Sequence, residues 1–299
     1  RLLEWYRSHG RDLPWRAARD PYAILVSEIM LQQTQVGRVA PAYQRFTEVF
    51  PSVAGLAAAE PADVLTAWRG LGYNRRALNL HGAARAIMAR HGGRVPDDLA
   101  QLRALPGVGD YTARAVLSFA FERDAGPVDT NIARVLTRAV AGGPLTRAPL
   151  QRLADDMAAG SGPAWSHALM DLGALFCVAS APRCRGCPVR SGCAWGRDSS
   201  GGMADPAEAS PSRSRPQGRF AGSTRYHRGR LVDALRDGPL PVAGLAEAAR
   251  LSDDPARATD LAHVLVDEGL AEWAAGSLRL PSSAAPARAP DPRERMAAQ

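Results

Sequence analysis

The sequence predicts an all-α protein: one large helical domain, a cysteine-bearing loop at its end, and a small second domain of short helices with a hairpin. Three observations carry this. Apolar residues recur at helical spacing from residue 1 to about 195, with no sustained two-residue alternation of the kind strands show. Pro21, Pro51, Pro61, Pro96, Pro106 and Pro163 fall at or near the starts of the periodic segments, where a missing N–H does no harm. The four cysteines, Cys177, Cys184, Cys187 and Cys193, all lie in one stretch of seventeen residues.

Helices are expected in order near Tyr22–Leu31, Arg38–Phe50, Asn74–His91, Thr112–Phe121, Ile132–Ala139 and Pro163–Val178. These belong to a first domain, residues 1–197. Residues 198–222 change to Ser, Gly, Pro and Arg, as in "SRSRPQGR", and read as a flexible basic linker. Residues 223–281 offer three short helices, in "RGRLVDALRDG", "VAGLAEAAR" and "ARATDLAHVLVDEGL", then a hairpin in "AEWAAGSLRLP". That is the order of a winged helix, a shape that often touches DNA and equally serves as a packing module. Residues 282–299 are Ala/Pro/Arg-rich and are expected to be disordered.

At 299 residues the chain is long enough for one large and one small domain, and 46% hydrophobic with 22% charged residues is ordinary for a soluble globular protein. No apolar stretch approaches a membrane span and no signal-peptide pattern opens the chain. Arg1 stands where an initiator methionine would, so the sequence is expected to begin inside a longer one. A net charge of +7 fits a polyanionic partner, most simply nucleic acid, though basic bias alone is weak evidence. All 37 basic residues are arginine. With no lysine, no lysine side chain can form a Schiff base.

The cysteine array is C-x6-C-x2-C-x5-C. Four thiolates this close in sequence can converge on one cubane iron–sulfur cluster, [4Fe-4S]. Zinc is the competing reading, since it also takes four cysteines, but usually as two close pairs, and only Cys184 and Cys187 form one. Disulfides and free thiols are the remaining alternatives. Cysteines committed to a thiolate site point to a reducing cytoplasm.

Three further features suggest chemistry. "LPGVGDYTARAV" (Leu105–Val116) is a proline-led turn with Gly107 and Gly109 before a helix, which lets backbone approach a ligand and aims free N–H groups at an anion such as a DNA phosphate. By itself it is also an ordinary interhelical turn. Twenty residues after Gly109 comes Asp129, in "PVDTNIARV", whose plain reading is an N-cap. Glu28, in "ILVSEIMLQQTQV", shares a helical face with Ile24, Leu25 and Leu31, and desolvation there would keep its carboxyl protonated longer. A protonated carboxyl opposite an ionised one is a common way to break a glycosidic bond, and a base on deoxyribose is a glycoside.

Together these pieces resemble the helix-hairpin-helix DNA glycosylase superfamily, and within it the adenine DNA glycosylases. The resemblance rests on "LPWR" (Leu13–Arg16), "SEIMLQQTQV" (Ser27–Val36), "GLGY" (Gly70–Tyr73), "LPGVGDYTA" (Leu105–Ala113), "VDTN" (Val128–Asn131), "MDLGALFC" (Met170–Cys177) and the cysteine array, in family order over nearly all of residues 1–195. It implies a helix-hairpin-helix fold with an iron–sulfur loop at 177–193. It implies that Glu28 is the general acid that protonates adenine, that Asp129 stabilises the sugar cation, and that Asn131 neighbours the attacked sugar. Tyr111 matches a tyrosine that assists these carboxylates in some members. Trp15, Arg16 and Asp171 match positions lining the pocket of the flipped adenine, and Gln33 and Tyr73 match residues that enter the DNA stack. The cluster would be structural, with Arg183, Arg185 and Arg190 near phosphates. The implied partner is double-stranded DNA carrying adenine opposite 8-oxoguanine or guanine, met by a monomer in a bacterial cytoplasm, at the nucleoid.

The sister enzyme endonuclease III has a lysine nucleophile where Tyr111 stands and lacks the acid at Glu28, so the resemblance implies a monofunctional glycosylase. Two departures stand out. Thr130 occupies a position that is usually glycine in the family, and the C-terminal region is short and helical where many members carry a pyrophosphatase-like domain that reads 8-oxoguanine. A thymine or uracil mismatch glycosylase is a second reading, against which Glu28 argues. A non-catalytic, redox-sensing iron–sulfur DNA-binding protein is a third, and it has no use for Glu28 and Asp129 together.

Overall fold

The computed structural model describes residues 1–196, 204–209 and 218–282. Most of the expected linker, and the expected disordered tail beyond Ser282, therefore lie outside the described residues.

The chain opens with α1 (Leu2–His9), a short 3-10 turn at Pro14–Arg16, and α2 (Pro21–Leu31). Then follow α3 (Val36–Val49), α4 (Val53–Ala58), α5 (Pro61–Ala67) and α6 (Arg75–His91). Local chemistry starts and stops these helices. The Ser52 hydroxyl accepts from Gly55 N at 3.1 Å and caps α4, and Pro61 opens α5 where no N–H partner is needed. Gly92, at φ +58°, ends α6 in the left-handed region. Next come α7 (Leu99–Arg103), the glycine turn, and α8 (Asp110–Phe121), then α9 (Thr130–Val135), α10 (Arg147–Ala158) and α11 (Gly162–Leu175).

Two of the expected helices end differently. The one expected over Ile132–Ala139 is α-helical only to Val135 and continues as a π-turn over Leu136–Ala141. That shift turns two carbonyls outward: Arg138 O and Ala139 O accept from Trp195 N and Ala194 N, both at 3.0 Å, just past the last cysteine. The one expected to reach Val178 stops at Leu175, where the N–H groups of Phe176 and Cys177 both turn back to Leu172 O and bring Cys177 out of the helix.

By internal contacts the chain divides into two units, each discontinuous in sequence. The first comprises Arg1–Glu28, Asp97–Arg103 and the described part of Val108–Pro216. Its core gathers Leu2, Ile132, Val135, Leu136, Leu150 and Leu172, with Cys177 and Cys187 packed against it. The second comprises Ile29–Pro96, Ala104–Gly107 and the described residues from 218 on. There Phe46 packs edge-on to the fully buried Trp68, ring centroids 5.7 Å apart.

The C-terminal part of the second unit holds α12 (Thr224–Leu235), β1 (Leu240–Pro241), α13 (Leu245–Ala249), α14 (Pro255–Asp267), β2 (Glu272–Ala274) and β3 (Ser277–Arg279). The three helices and the hairpin expected here are present. The sheet has one strand more than the pattern showed: β1, only two residues long, pairs antiparallel with β3 through Leu240 opposite Leu278. A two-residue strand is too short to show alternation. Among the described residues no helix is long and apolar enough to cross a membrane.

Candidate active site

Three side chains of the first unit form an acidic cluster. Glu28, near the end of the apolar α2, is 4% exposed. Its carboxylate accepts a hydrogen bond from the Tyr111 hydroxyl on α8, while its Oε2 is buried with no hydrogen-bond partner among the described residues. Burial pushes the Glu28 carboxyl up to about 7; the Tyr111 hydrogen bond pulls down, and the nearby Asp129 charge pushes up again. Burial also raises the Tyr111 phenol well above its ordinary value, so it stays a neutral donor.

Asp129 does what its plain reading asks, and more. It caps α9, with Oδ1 accepting from Ile132 N at 2.6 Å, and Oδ2 accepts from Asn131 Nδ2 at 2.9 Å. Burial raises this carboxyl too, while those two donors favour its anion. Glu28 thus keeps a bare oxygen among the described residues where Asp129 has two donors, so the two buried carboxyls sit in different hydrogen-bonding surroundings.

Asn131 is itself held. Its Oδ1 accepts from Arg134 Nη2 at 2.8 Å, which turns its NH2 towards Asp129. Arg134 also donates to Gly173 O at 2.8 Å and Cys177 O at 2.5 Å, so one guanidinium links the Asp129 surroundings to the start of the cysteine loop. Gly173 allows this approach, since a Cβ there would sit 2.6 Å from Asn131 Cβ. Sequence reasoning missed Arg134; its place one helical turn after Asn131 was the available signal.

Trp15, Arg16 and Asp171 were expected around the base pocket. Trp15 is buried, and Arg16 grips the fully buried Asp171 with two hydrogen bonds of 2.8 and 2.7 Å. Arg11, which the sequence reading passed over, adds a backbone bond of 2.9 Å and a side-chain bond of 2.6 Å. Burial alone would raise the Asp171 carboxyl, but these donors hold it below its ordinary value. His167 stacks on Phe119 at 4.2 Å, and burial together with Arg16 pushes it down to about 3, so it is neutral at physiological pH.

In the second unit, Gln33 and Tyr73 are exposed and both sit in the left-handed region, φ +55° and +45°. A non-glycine residue there is strained unless its surroundings hold it. Arg76 does so. Its buried guanidinium donates to Ile29 O, Met30 O, Gln32 O and Thr34 Oγ1 on one side, and to Leu71 O and Gly72 O on the other. Burial lowers its pKa to about 10, which leaves it charged at neutral pH. Its targets are mostly backbone carbonyls, invisible to motif reading.

The glycine turn separates its two glycines by role. Gly107, at φ +74°, packs so that a Cβ would meet Asn79 Cβ at 2.7 Å. Gly109 is the extended N-cap of α8, and a Cβ there would meet nothing within 4 Å among the described residues, so none of them demands glycine at that position.

The four cysteines form no disulfide and all line one small cavity of about 20 Å³, with Val135, Leu172, Phe176 and Val189 among its walls. Arg138 Nη1 lies 3.5 Å from Cys177 Sγ, and Gly196 N donates to Cys193 Sγ at 3.2 Å. Arg138 is held by Asp205 and by Trp195, whose ring lies 5.0 Å below the guanidinium. Among the described residues no group of three or more His, Cys, Asp or Glu side chains is gathered as around a single metal ion.

Fold and acidic cluster together define a helix-hairpin-helix glycosylase, and the family described as "HhH-GPD superfamily base excision DNA repair protein" matches residues 26–153, which contain Glu28, the glycine turn and Asp129. An adenine DNA glycosylase of Mycolicibacterium smegmatis is 44% identical over 282 residues, 92% of each chain, and one of Mycobacterium tuberculosis is 41% identical over 94% of this chain and 92% of its own. The chain belongs to the adenine DNA glycosylase family. Among solved structures, a thermostable thymine-DNA glycosylase superposes with a TM-score of 0.62 at 32% identity, over 66% of this chain and 94% of that one.

Proposed function

We propose that the chain is a monofunctional adenine DNA glycosylase that acts as a monomer on duplex DNA, releasing adenine opposite 8-oxoguanine or guanine. The observation that carries this reading is the Glu28–Tyr111–Asp129 cluster, with its carboxyls set for different tasks. Protonated Glu28 gives its proton to a ring nitrogen of the flipped adenine. The bond from C1′ to the base then breaks with its electron pair going to the base, which leaves neutral. Anionic Asp129 steadies the sugar cation, oriented by Asn131, and water adds to C1′ with loss of a proton. Trp15, Arg16 and Asp171 shape the base pocket, Gln33 and Tyr73 enter the stack, and the glycine turn carries phosphate on the N–H groups ahead of α8.

Cys177, Cys184, Cys187 and Cys193 would hold one [4Fe-4S] cluster; an all-sulfur donor set around a single cavity suits it. Bound there, the cluster supplies a cross-link that fixes the loop bearing the exposed Arg183, Arg185 and Arg190. The C-terminal helices and three-stranded sheet are winged-helix-like, and with the basic Arg219–Arg230 segment they extend the DNA contacts. Deleting residues 200–299 should weaken DNA binding and mismatch preference; unchanged values would remove that role.

The likeness to a thymine-DNA glycosylase gives the alternative substrate some weight. Excision assays on duplexes with A opposite 8-oxoguanine, A opposite G, and T opposite G decide between them. Adenine release abolished by Glu28→Gln supports the adenine reading, whereas thymine release moves the assignment.

A further inference from the structure

We infer that Arg225 is a positioning residue for Tyr73, through which the small C-terminal part sets how firmly the chain discriminates the base opposite adenine. The inference rests on the reading that Tyr73 meets the DNA stack.

Tyr73 sits in a loop that the chain works to hold. Gly70 and Gly72 are at φ +88° and +68°, Leu71 is buried, and Trp68 Nε1 donates to Gly72 O at 3.1 Å. Tyr73 is 40% exposed, and the Arg76 guanidinium lies 5.5 Å from its ring centroid. The backbone and the ring are thus fixed from within the loop and α6. The hydroxyl is addressed from elsewhere: Arg225 Nη1, in the first turn of α12, donates to it at 3.2 Å. The other arm of the same guanidinium donates to Gly218 O at 3.0 Å, which limits its swing.

The other end of α12 is anchored beside the same loop. Arg236, 2% exposed, donates to Leu65 O and to Asn74 Oδ1, each at 2.9 Å, and Asn74 is the residue next to Tyr73. Arg69 pairs with Asp237 at 2.6 Å, and Arg75 donates to Glu268 O. The loop is therefore gripped on both flanks by the C-terminal part, and Arg225 reaches the one polar atom at the tip of the exposed ring. An arginine donor also makes the phenol oxygen an acceptor inward, which turns the phenol proton outward towards whatever meets the ring.

The test is a cycle in the full chain: Arg225→Gln, Tyr73→Phe, the double variant, and Arg225→Lys. Each is measured for single-turnover excision and for binding across a salt series, on A opposite 8-oxoguanine and A opposite G. A duplex with 2-aminopurine in place of the adenine reports unstacking by fluorescence, independently of catalysis. We expect Arg225→Gln and Tyr73→Phe each to lower the preference for 8-oxoguanine and the fluorescence rise by about three- to tenfold. The double variant should be no worse than Tyr73→Phe, Arg225→Lys should recover part of the effect, and the salt slope should not change. Multiplying effects, or an Arg225→Gln salt slope smaller by about 1 with Tyr73→Phe inert, would overturn the inference and make Arg225 a phosphate contact. A wild-type chain that unstacks 2-aminopurine but releases no adenine would instead remove the proposed activity and leave the coupling to be judged by fluorescence.

Discussion

At Glu28 stability and the proposed chemistry pull in opposite directions. The carboxyl lies among apolar side chains of α2 with one oxygen unpartnered, and its pKa is raised from 4.5 to about 7. A raised carboxyl pKa means that the folded chain binds the proton more tightly than the unfolded one. Stability from this group is therefore full below pH 4.5 and is lost as pH rises through 7, by about 3 kcal/mol in all at 1.4 kcal/mol per pH unit. Glu28→Gln should accordingly raise Tm at pH 8 and leave it nearly unchanged at pH 5. An equal or lower Tm at pH 8 would mean that the carboxyl is better solvated than its burial suggests. In the proposed mechanism the same sign governs catalysis: Glu28 carries its proton below pH 7, so the single-turnover rate should fall as pH rises beyond it. Arg134 offers a second residue-scale check. Arg134→Ala should free the Asn131 amide and slow excision by about 10- to 100-fold without preventing DNA binding. A wild-type rate in that variant would show that Asp129 needs no such support.

Elements were legible in the sequence where burial follows helical periodicity. α2, α6 and α8 appear within one or two residues of their expected starts, with proline at the head of α2 and glycine after α6. The π-turn after α9 was not legible, because what favours it is the partner that its carbonyls find at Ala194 and Trp195, more than fifty residues on. The same holds for residues that act on backbone. Glu28, Asp129 and the cysteines carry side-chain chemistry that a motif can display. Arg76 and Arg134 work largely on carbonyl oxygens, which every residue has; Arg134 is betrayed only by its place one helical turn after Asn131, and nothing in the spacing of Arg76 singles it out. The cysteine loop gives the element-scale expectation. Arg138 is buried at its base with Asp205 as partner, so Arg138→Ala leaves a poorly paired carboxylate and should destabilise the loop by about 3 kcal/mol. With the proposed cluster bound, purified protein should show a brown visible absorbance that Cys184→Ser abolishes, and that variant should weaken DNA binding more than it slows the chemical step. Full colour in that variant would contradict a four-cysteine cluster.

For the whole molecule, the chain shares the fold and the glycosylase class of its family, and the proposed reading divides mismatch choice between its parts. The proposed chemistry lies in the first unit, with Glu28 and Asp129, and the exposed Gln33 and Tyr73 belong to the second, together with the C-terminal helices. The absence of lysine acts at this scale too. No lysine amine can attack C1′, so borohydride should trap no strong covalent complex with DNA. A stoichiometric adduct would contradict the monofunctional reading.

The central claim is that a proton on Glu28 breaks the bond to adenine, and it is tested most directly by single-turnover excision between pH 5 and 9. Wild type and Glu28→Gln would be compared on duplexes with adenine opposite 8-oxoguanine and opposite guanine, with thymine opposite guanine as control. Adenine release should decline above pH 7 in the wild type and be lost in Glu28→Gln while DNA binding persists. A flat pH profile, comparable release by Glu28→Gln, or release of thymine in place of adenine would contradict it.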